Sequence, residues 1–218
     1  MLVNYSSVPG SSRLFYIYDP MCSWCYAFVN SWSALQRALP AHVDAVYVLG
    51  GLAPDTTEPM PDAMRSMIQQ TWRKIEKTVP GVHFNYDFWA QNTPVRSTYP
   101  ACRAVLAAKK QNPAAEAEML RAIQNAYYQL AKNPSLPETL LECAEAIGLD
   151  SAVFQSDLSS DTINAALKQE LQLAAELNAF SFPSLRLMHR DAIYPIAIDY
   201  LDHGAMLKEI GAVINNNE

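Results

Sequence analysis

Cys22 and Cys25 are the residues of this 218-residue chain whose type and spacing carry the clearest chemistry. A Cys-x-x-Cys pair can be half of a zinc site, a disulfide or a redox dithiol, and the element that holds it separates the three. Here Cys22-Ser23-Trp24-Cys25 follows the apolar run Leu14-Phe15-Tyr16-Ile17-Tyr18 and opens a helical pattern. A thiol at a strand-to-helix junction meets free backbone N–H groups and the positive end of the helix dipole, which lower its pKa. Redox chemistry is therefore the leading reading. The stripe Cys25, Phe28, Val29, Trp32, Leu35 and Leu39, at three- and four-residue spacing, turns Cys25 toward the core and leaves Cys22 outside it. That spacing predicts Cys22 as an exposed, attacking thiol and Cys25 as a half-buried, resolving one.

Other chemistry-bearing residues are weaker. His42, His83, His189 and His203 stand at neither i+3 nor i+4 from one another or from a cysteine, so no compact zinc signature exists and no metal site is expected. Cys102 and Cys143 each sit alone inside helical patterns and read as plain buried thiols. Asp19, three residues before Cys22, has two readings: a strand-end residue capping the first helix, which is preferred, or a charge that raises the Cys22 pKa. Trp24 is either part of an apolar rim that touches substrate or a side chain packed on the helical insertion set out below. Met60, Met64 and Met67 read as a core-facing helix side and not as a soft-metal groove.

The elements that must position the dithiol follow from periodicity and punctuation. Residues 13–19 form a first strand buried on both faces, 23–39 a helix closed by Pro40, and 43–49 a second strand, parallel to the first because a helix crosses between them. After Gly50-Gly51 strand signals vanish until about residue 178. Helices are expected over 61–79, 99–110, 114–131, 136–147, 151–158 and 161–177, with a short aromatic turn at 86–91. Met64, Met67 and Ile68 are placed on the buried side of the first of these and Leu130 on that of the third. Ser135 with Glu138 reads as a capping box. Strands return at 184–188 and 192–198 as an antiparallel hairpin, and 202–214 is a closing amphipathic helix. The order is β-α-β, an all-helical insertion, then β-β-α.

Composition bounds the partners. With 50% hydrophobic and 17% charged residues the chain is an ordinary globular protein. A net charge of -6 and no Lys/Arg cluster exclude nucleic acid as the main partner. No window is apolar for long enough to span a bilayer, and residues 1–12 lack the basic and apolar regions of a secretory leader, so a cytoplasmic protein is expected.

That element order, with a Cys-x-x-Cys opening the first helix, resembles the thioredoxin fold. An all-helical subdomain inserted between its halves is similar to the DsbA family of thiol-disulfide oxidoreductases, and the run Tyr18-Asp19-Pro20-Met21-Cys22-Ser23-Trp24-Cys25-Tyr26 to its FrnE-like branch. The resemblance implies an α/β, thioredoxin-like fold in which residues 1–53 and 178–218 form a discontinuous domain and 54–177 the inserted one. Ser181-Phe182-Pro183-Ser184 stands where the family carries a cis proline facing the dithiol, which implies that the Phe182 backbone lies beside Cys22 and pairs with an extended substrate. Cys22 and Cys25 would then be catalytic, with Trp24, Phe182 and Pro183 contacting substrate and Ser23 and Asp19 modulating the thiols. The intervening dipeptide departs from the Pro-His of the prototype, and neither Ser23 nor Trp24 offers the thiolate a positive charge.

The implied partners are proteins or peptides bearing thiols or disulfides, with glutathione as a candidate co-substrate and no cofactor beyond the cysteine pair. Two alternatives stand beside this reading. One is a kappa-type glutathione transferase or isomerase, which usually has Ser at the position of Cys22; the other is a non-enzymatic binder of metal or of a client chain.

Overall fold

The computed structural model describes residues 12–216; the N-terminal stretch considered above, up to residue 11, and residues 217–218 lie outside them. Strand β1 (Ser12–Tyr18) leads through a short turn into helix α1 (Ser23–Ala38), and β2 (Val43–Leu49) follows. β1 and β2 are parallel, in register from Ser12 opposite Val43 to Tyr18 opposite Leu49. After the insertion come β3 (Ser184–His189), β4 (Ala192–Ile196) and a last helix (His203–Asn215). The strands lie in the order β2-β1-β3-β4, with β3 antiparallel to both its neighbours.

β1 is central and buried on both faces, which explains its unbroken apolar run. Leu14, Tyr16 and Tyr18 point into the main core with Phe28, Trp32 and Leu35 of α1, while Phe15 and Ile17 enter a smaller cluster on the other face.

The insertion is all helix: α2 (Asp62–Thr78), α3 (Phe88–Gln91), α4 (Tyr99–Gln111), α5 (Ala115–Tyr128), α6 (Pro137–Ala146), α7 (Ser151–Leu158) and α8 (Asp161–Glu176), which makes the closing helix α9. Its centre is Trp72, fully buried and stacked on Phe84 with ring centroids 4.8 Å apart. The aromatic cluster continues through Tyr128, whose ring stacks on Tyr26 of α1 at 4.5 Å and joins the insertion to the helix that carries the cysteines. α8 runs back over the sheet and sets Ala174 against Phe15, Ile17 and Val48. Among the described residues no helix is long and apolar enough to cross a membrane.

Several local expectations are corrected. Met67 is 56% exposed, and Met64 and Ile68 only half-buried, because α2 is an outer helix that buries little beyond Trp72 and Ile75. α5 stops at Tyr128, so Leu130 lies beyond it and is 54% exposed. No capping box opens α6: its N-cap is Leu136, and the Ser135 hydroxyl donates instead to the Ser97 carbonyl at 2.7 Å. β4 ends at Ile196, before the expected 198.

Candidate active site

Cys22 occupies the N-cap position of α1, with φ -81° and ψ 116°, and supplies no side-chain cap. Its sulfur is thereby left beside the first free N–H groups of the helix. The expectation of an exposed thiol is corrected: Cys22 is 7% exposed, because the loop before β3 folds over it. Its Sγ donates to the Phe182 carbonyl at 3.3 Å, and the Phe182–Pro183 peptide bond is cis. Cys25, one turn on, is fully buried, and both cysteines are free thiols.

The two thiols are driven apart in acidity. The Cys25 thiol, donating to the Cys22 sulfur, lowers the Cys22 pKa most, and the backbone N–H groups of Cys25 and Trp24 add to it. Burial and the Asp19 charge oppose this without reversing it. Burial, and then the hydrogen bond and charge of Cys22, push Cys25 well above an ordinary thiol. The pair therefore has one acidic sulfur facing the loop and one reluctant sulfur behind it, the arrangement that attack and resolution require.

Asp19 does not cap α1. It is fully buried and turned inward, accepting from Met21 N at 2.8 Å, Leu52 N at 2.6 Å and the Thr98 hydroxyl at 2.6 Å. Burial raises its pKa, and those three hydrogen bonds hold the rise in check. One carboxylate thus ties together the turn before Cys22, the loop after β2 and the start of α4. The Cys102 thiol lies 3.7 Å behind it. On the insertion side the Tyr128 hydroxyl donates to the Met21 carbonyl at 2.8 Å, so both backbone polar groups of Met21 are fixed.

Trp24 packs on the segment before α9: its ring lies 5.0 Å from that of Tyr200. The Ser31 hydroxyl pins that segment by donating to the Asp199 carbonyl at 2.6 Å. Ser23 is the first helical residue and half-buried, and among the described residues its hydroxyl makes no hydrogen bond. Pro183 is buried and Phe182 half-buried, its ring lying over Gly50 so closely that a Cβ there would stand 2.0 Å from it. Cys22, Trp24, Asp19, Phe182 and Pro183 are therefore neighbours around one end of α1. Thr98, Leu52 and Tyr128 were not singled out from sequence; they act through backbone and hydroxyl groups of ordinary type, at positions only the fold brings close. Among the described residues no group of three or more His, Cys, Asp or Glu side chains could hold a metal ion.

A family model described as thioredoxin matches residues 15–196, spanning the dithiol, the insertion, Pro183 and the hairpin that follows it. The chain belongs to the thioredoxin family. Among curated proteins, this thioredoxin-family chain is similar to a ClpXP adapter protein, SpxH, of Halalkalibacterium halodurans, at 26% identity over 170 residues, or 76% of this chain and 55% of that one. The chain spans little more than half the length of that relative. Among solved structures, a protein from Nitrosomonas europaea described as a protein disulfide isomerase is 24% identical with a TM-score of 0.82, covering 95% of this chain and all of that one. The cytosolic disulfide reductase DsbM of Pseudomonas aeruginosa is 24% identical with a TM-score of 0.69, covering 94% of this chain and 96% of that one. The fold is accordingly the thioredoxin-like fold with the helical insertion of DsbA-type proteins.

Proposed function

We propose that this protein is a thiol-disulfide oxidoreductase of the FrnE-like branch, exchanging disulfides between the Cys22–Cys25 pair and cysteines of proteins, peptides or glutathione in the cytoplasm. The observation that carries the reading is the split in acidity of the two thiols at the N-terminus of α1, with the Phe182 carbonyl 3.3 Å from the acidic one. In the reducing direction the Cys22 thiolate attacks one sulfur of a substrate disulfide, forms a mixed disulfide and releases the other sulfur as a thiolate. The Cys25 thiolate then attacks the Cys22 sulfur, releases the second substrate thiolate and leaves the protein disulfide; two electrons pass from protein to substrate. The oxidising direction is the same sequence run backward. Glutathione as co-substrate is supported by the solved complex of DsbM with it. Cys22 itself speaks against the kappa-type transferase chemistry, which uses Ser at that position.

A glutathione- or insulin-coupled assay on wild type, Cys22→Ser and Cys25→Ser tests this. The reading requires that Cys22→Ser abolish turnover and that Cys25→Ser stall at a mixed disulfide; turnover surviving Cys22→Ser sinks it. A second reading, non-catalytic client binding, is favoured by the adapter role named for the curated relative. It requires client binding that Cys22→Ser leaves intact and a wild type without exchange activity.

A further inference from the structure

Beside the Phe182 ring lies a pocket of about 260 Å³, lined by Gly50, Leu52, Leu171, Ala175, Phe180 and Phe182 together with adjoining small residues. Every side chain in that lining is apolar. Phe180 is 77% exposed at its rim, the most exposed of the large apolar side chains among the described residues. Gly50 has no side chain, so the Phe182 ring settles onto its backbone and forms one wall, and Gly51, at φ +62°, lets the chain turn away with Leu171 in the space its Cβ would need. Phe182 is shared between this pocket and the dithiol: its ring lines the one, and its carbonyl touches the Cys22 sulfur in the other.

We infer that this pocket is the specificity subsite of the exchange reaction, and that it takes one bulky apolar side chain of a polypeptide client, placed within two residues of the cysteine that reacts with Cys22. The inference rests on the oxidoreductase reading above. Size and chemistry select the occupant. Ligand pockets for whole small molecules run from about 300 Å³ upward, so this one suits a single side chain. Its lining side chains carry no charged or hydrogen-bonding group for the ammonium or carboxylates of glutathione, which would meet backbone polar groups alone. A client whose cysteine is bonded to Cys22 runs past Phe182, and the next large side chain on that flank meets Phe180 and Leu171. Full burial of one such side chain corresponds to a preference of about tenfold.

The test follows oxidation of the reduced protein by symmetrical disulfide dimers of short cysteine peptides, in which the two sulfurs are equivalent, and by glutathione disulfide. Phe or Ser is placed in turn at each of the two positions on either side of the cysteine. Each reaction forms the Cys22 mixed disulfide, releases one peptide thiol, and releases the second as Cys22–Cys25 closes. The expected result is a rate about tenfold higher for Phe than for Ser at one offset. That ratio should fall toward one in Ala175→Glu and in Phe180→Ser, both at exposed positions and checked for folding by circular dichroism. Equal rates for all peptides, with glutathione disulfide also reacting, overturn the subsite and leave the oxidoreductase reading standing. A ratio that survives both variants puts the preference elsewhere and also overturns it. Failure to react with any disulfide overturns both.

Discussion

Two regions of this molecule bury a cysteine against the same carboxylate, and they turn it into opposite things. The turn before α1 carries Cys22, 7% exposed, and α4 carries Cys102, fully buried; Asp19 sits between them and raises the pKa of both. Cys102 closes the first turn of α4, where its own N–H is already spent on the Thr98 carbonyl at 3.1 Å, so burial and the Asp19 charge push its thiol well up. Cys22 stands at the N-cap position, where the Cys25 thiol and the N–H groups of Cys25 and Trp24 outweigh the same two forces. Neither burial nor a neighbouring acid therefore decides thiol reactivity here. The supply of unspent donors does, and only a helix N-terminus with a second thiol one turn on provides it.

The largest effect expected from breaking this contrast is at Cys22. Cys22→Ser should abolish disulfide exchange completely, measured by turnover with a glutathione-coupled substrate, whereas the thiols of Cys102 and Cys143 in that variant should give no residual rate. Next comes the donor that lowers the Cys22 pKa most. Cys25→Ala should accumulate the mixed disulfide at Cys22, visible by mass spectrometry, and should raise the Cys22 pKa toward the value of about 8.5 of a free thiol. In wild type the rate of attack by the reduced protein should climb with pH and level off below that range; in Cys25→Ala the climb should move to higher pH. A plateau at the same pH in both proteins would mean that the backbone donors suffice alone.

The sequence made one side of the contrast legible and concealed the other. An apolar run handing over to a helical stripe at Cys22 is a local signal, and it predicted the dithiol, the direction in which Cys25 faces and the β-α-β order. The near-burial of Cys22 was not local: Phe182, 160 residues on, covers it. Asp19 failed as a helix cap for the same reason. Its donors Leu52 and Thr98 come from the loop after β2 and the insertion, and a pattern read along one element cannot see a hydrogen-bonding demand from another. The capping box at Ser135 went wrong alike, since Ser97 offered that hydroxyl a distant acceptor. The α2 helix was readable from its periodicity; the stacking of Trp72 on Phe84, and of Tyr128 on Tyr26 that moors the insertion to α1, was not.

Asp19 itself provides a smaller test. Asp19→Asn keeps an acceptor for two of its three donors and leaves one backbone N–H unmet, a loss of about 1–3 kcal/mol for a buried group, partly offset by removal of a buried charge. Because burial raises the folded pKa of Asp19, its contribution to stability is full below the unfolded value of about 3.9 and is lost as pH rises through the folded value. Urea unfolding of wild type should therefore show that decline on leaving acid, and Asp19→Asn should lack it. The Cys22 pKa should also fall in the variant, since the Asp19 charge raises it. An unchanged stability slope and an unchanged Cys22 pKa together would remove Asp19 from both sides of the comparison.

The smallest effect belongs to the inert thiol. Cys102→Ala removes one buried sulfur, and the cavity should cost about 1 kcal/mol of stability. Exchange should stay within about twofold of wild type, because Cys102 touches Asp19 and neither active thiol, and a neighbouring charge in this pair is already the weaker force. Alkylation of the folded reduced protein should follow the same order, Cys22 first and Cys102 last, with Cys143 held back by a pKa pushed up to about 11. If Cys102 labels as fast as Cys22, α4 opens on the timescale of the reaction, and burial in the folded state does not explain its inertness.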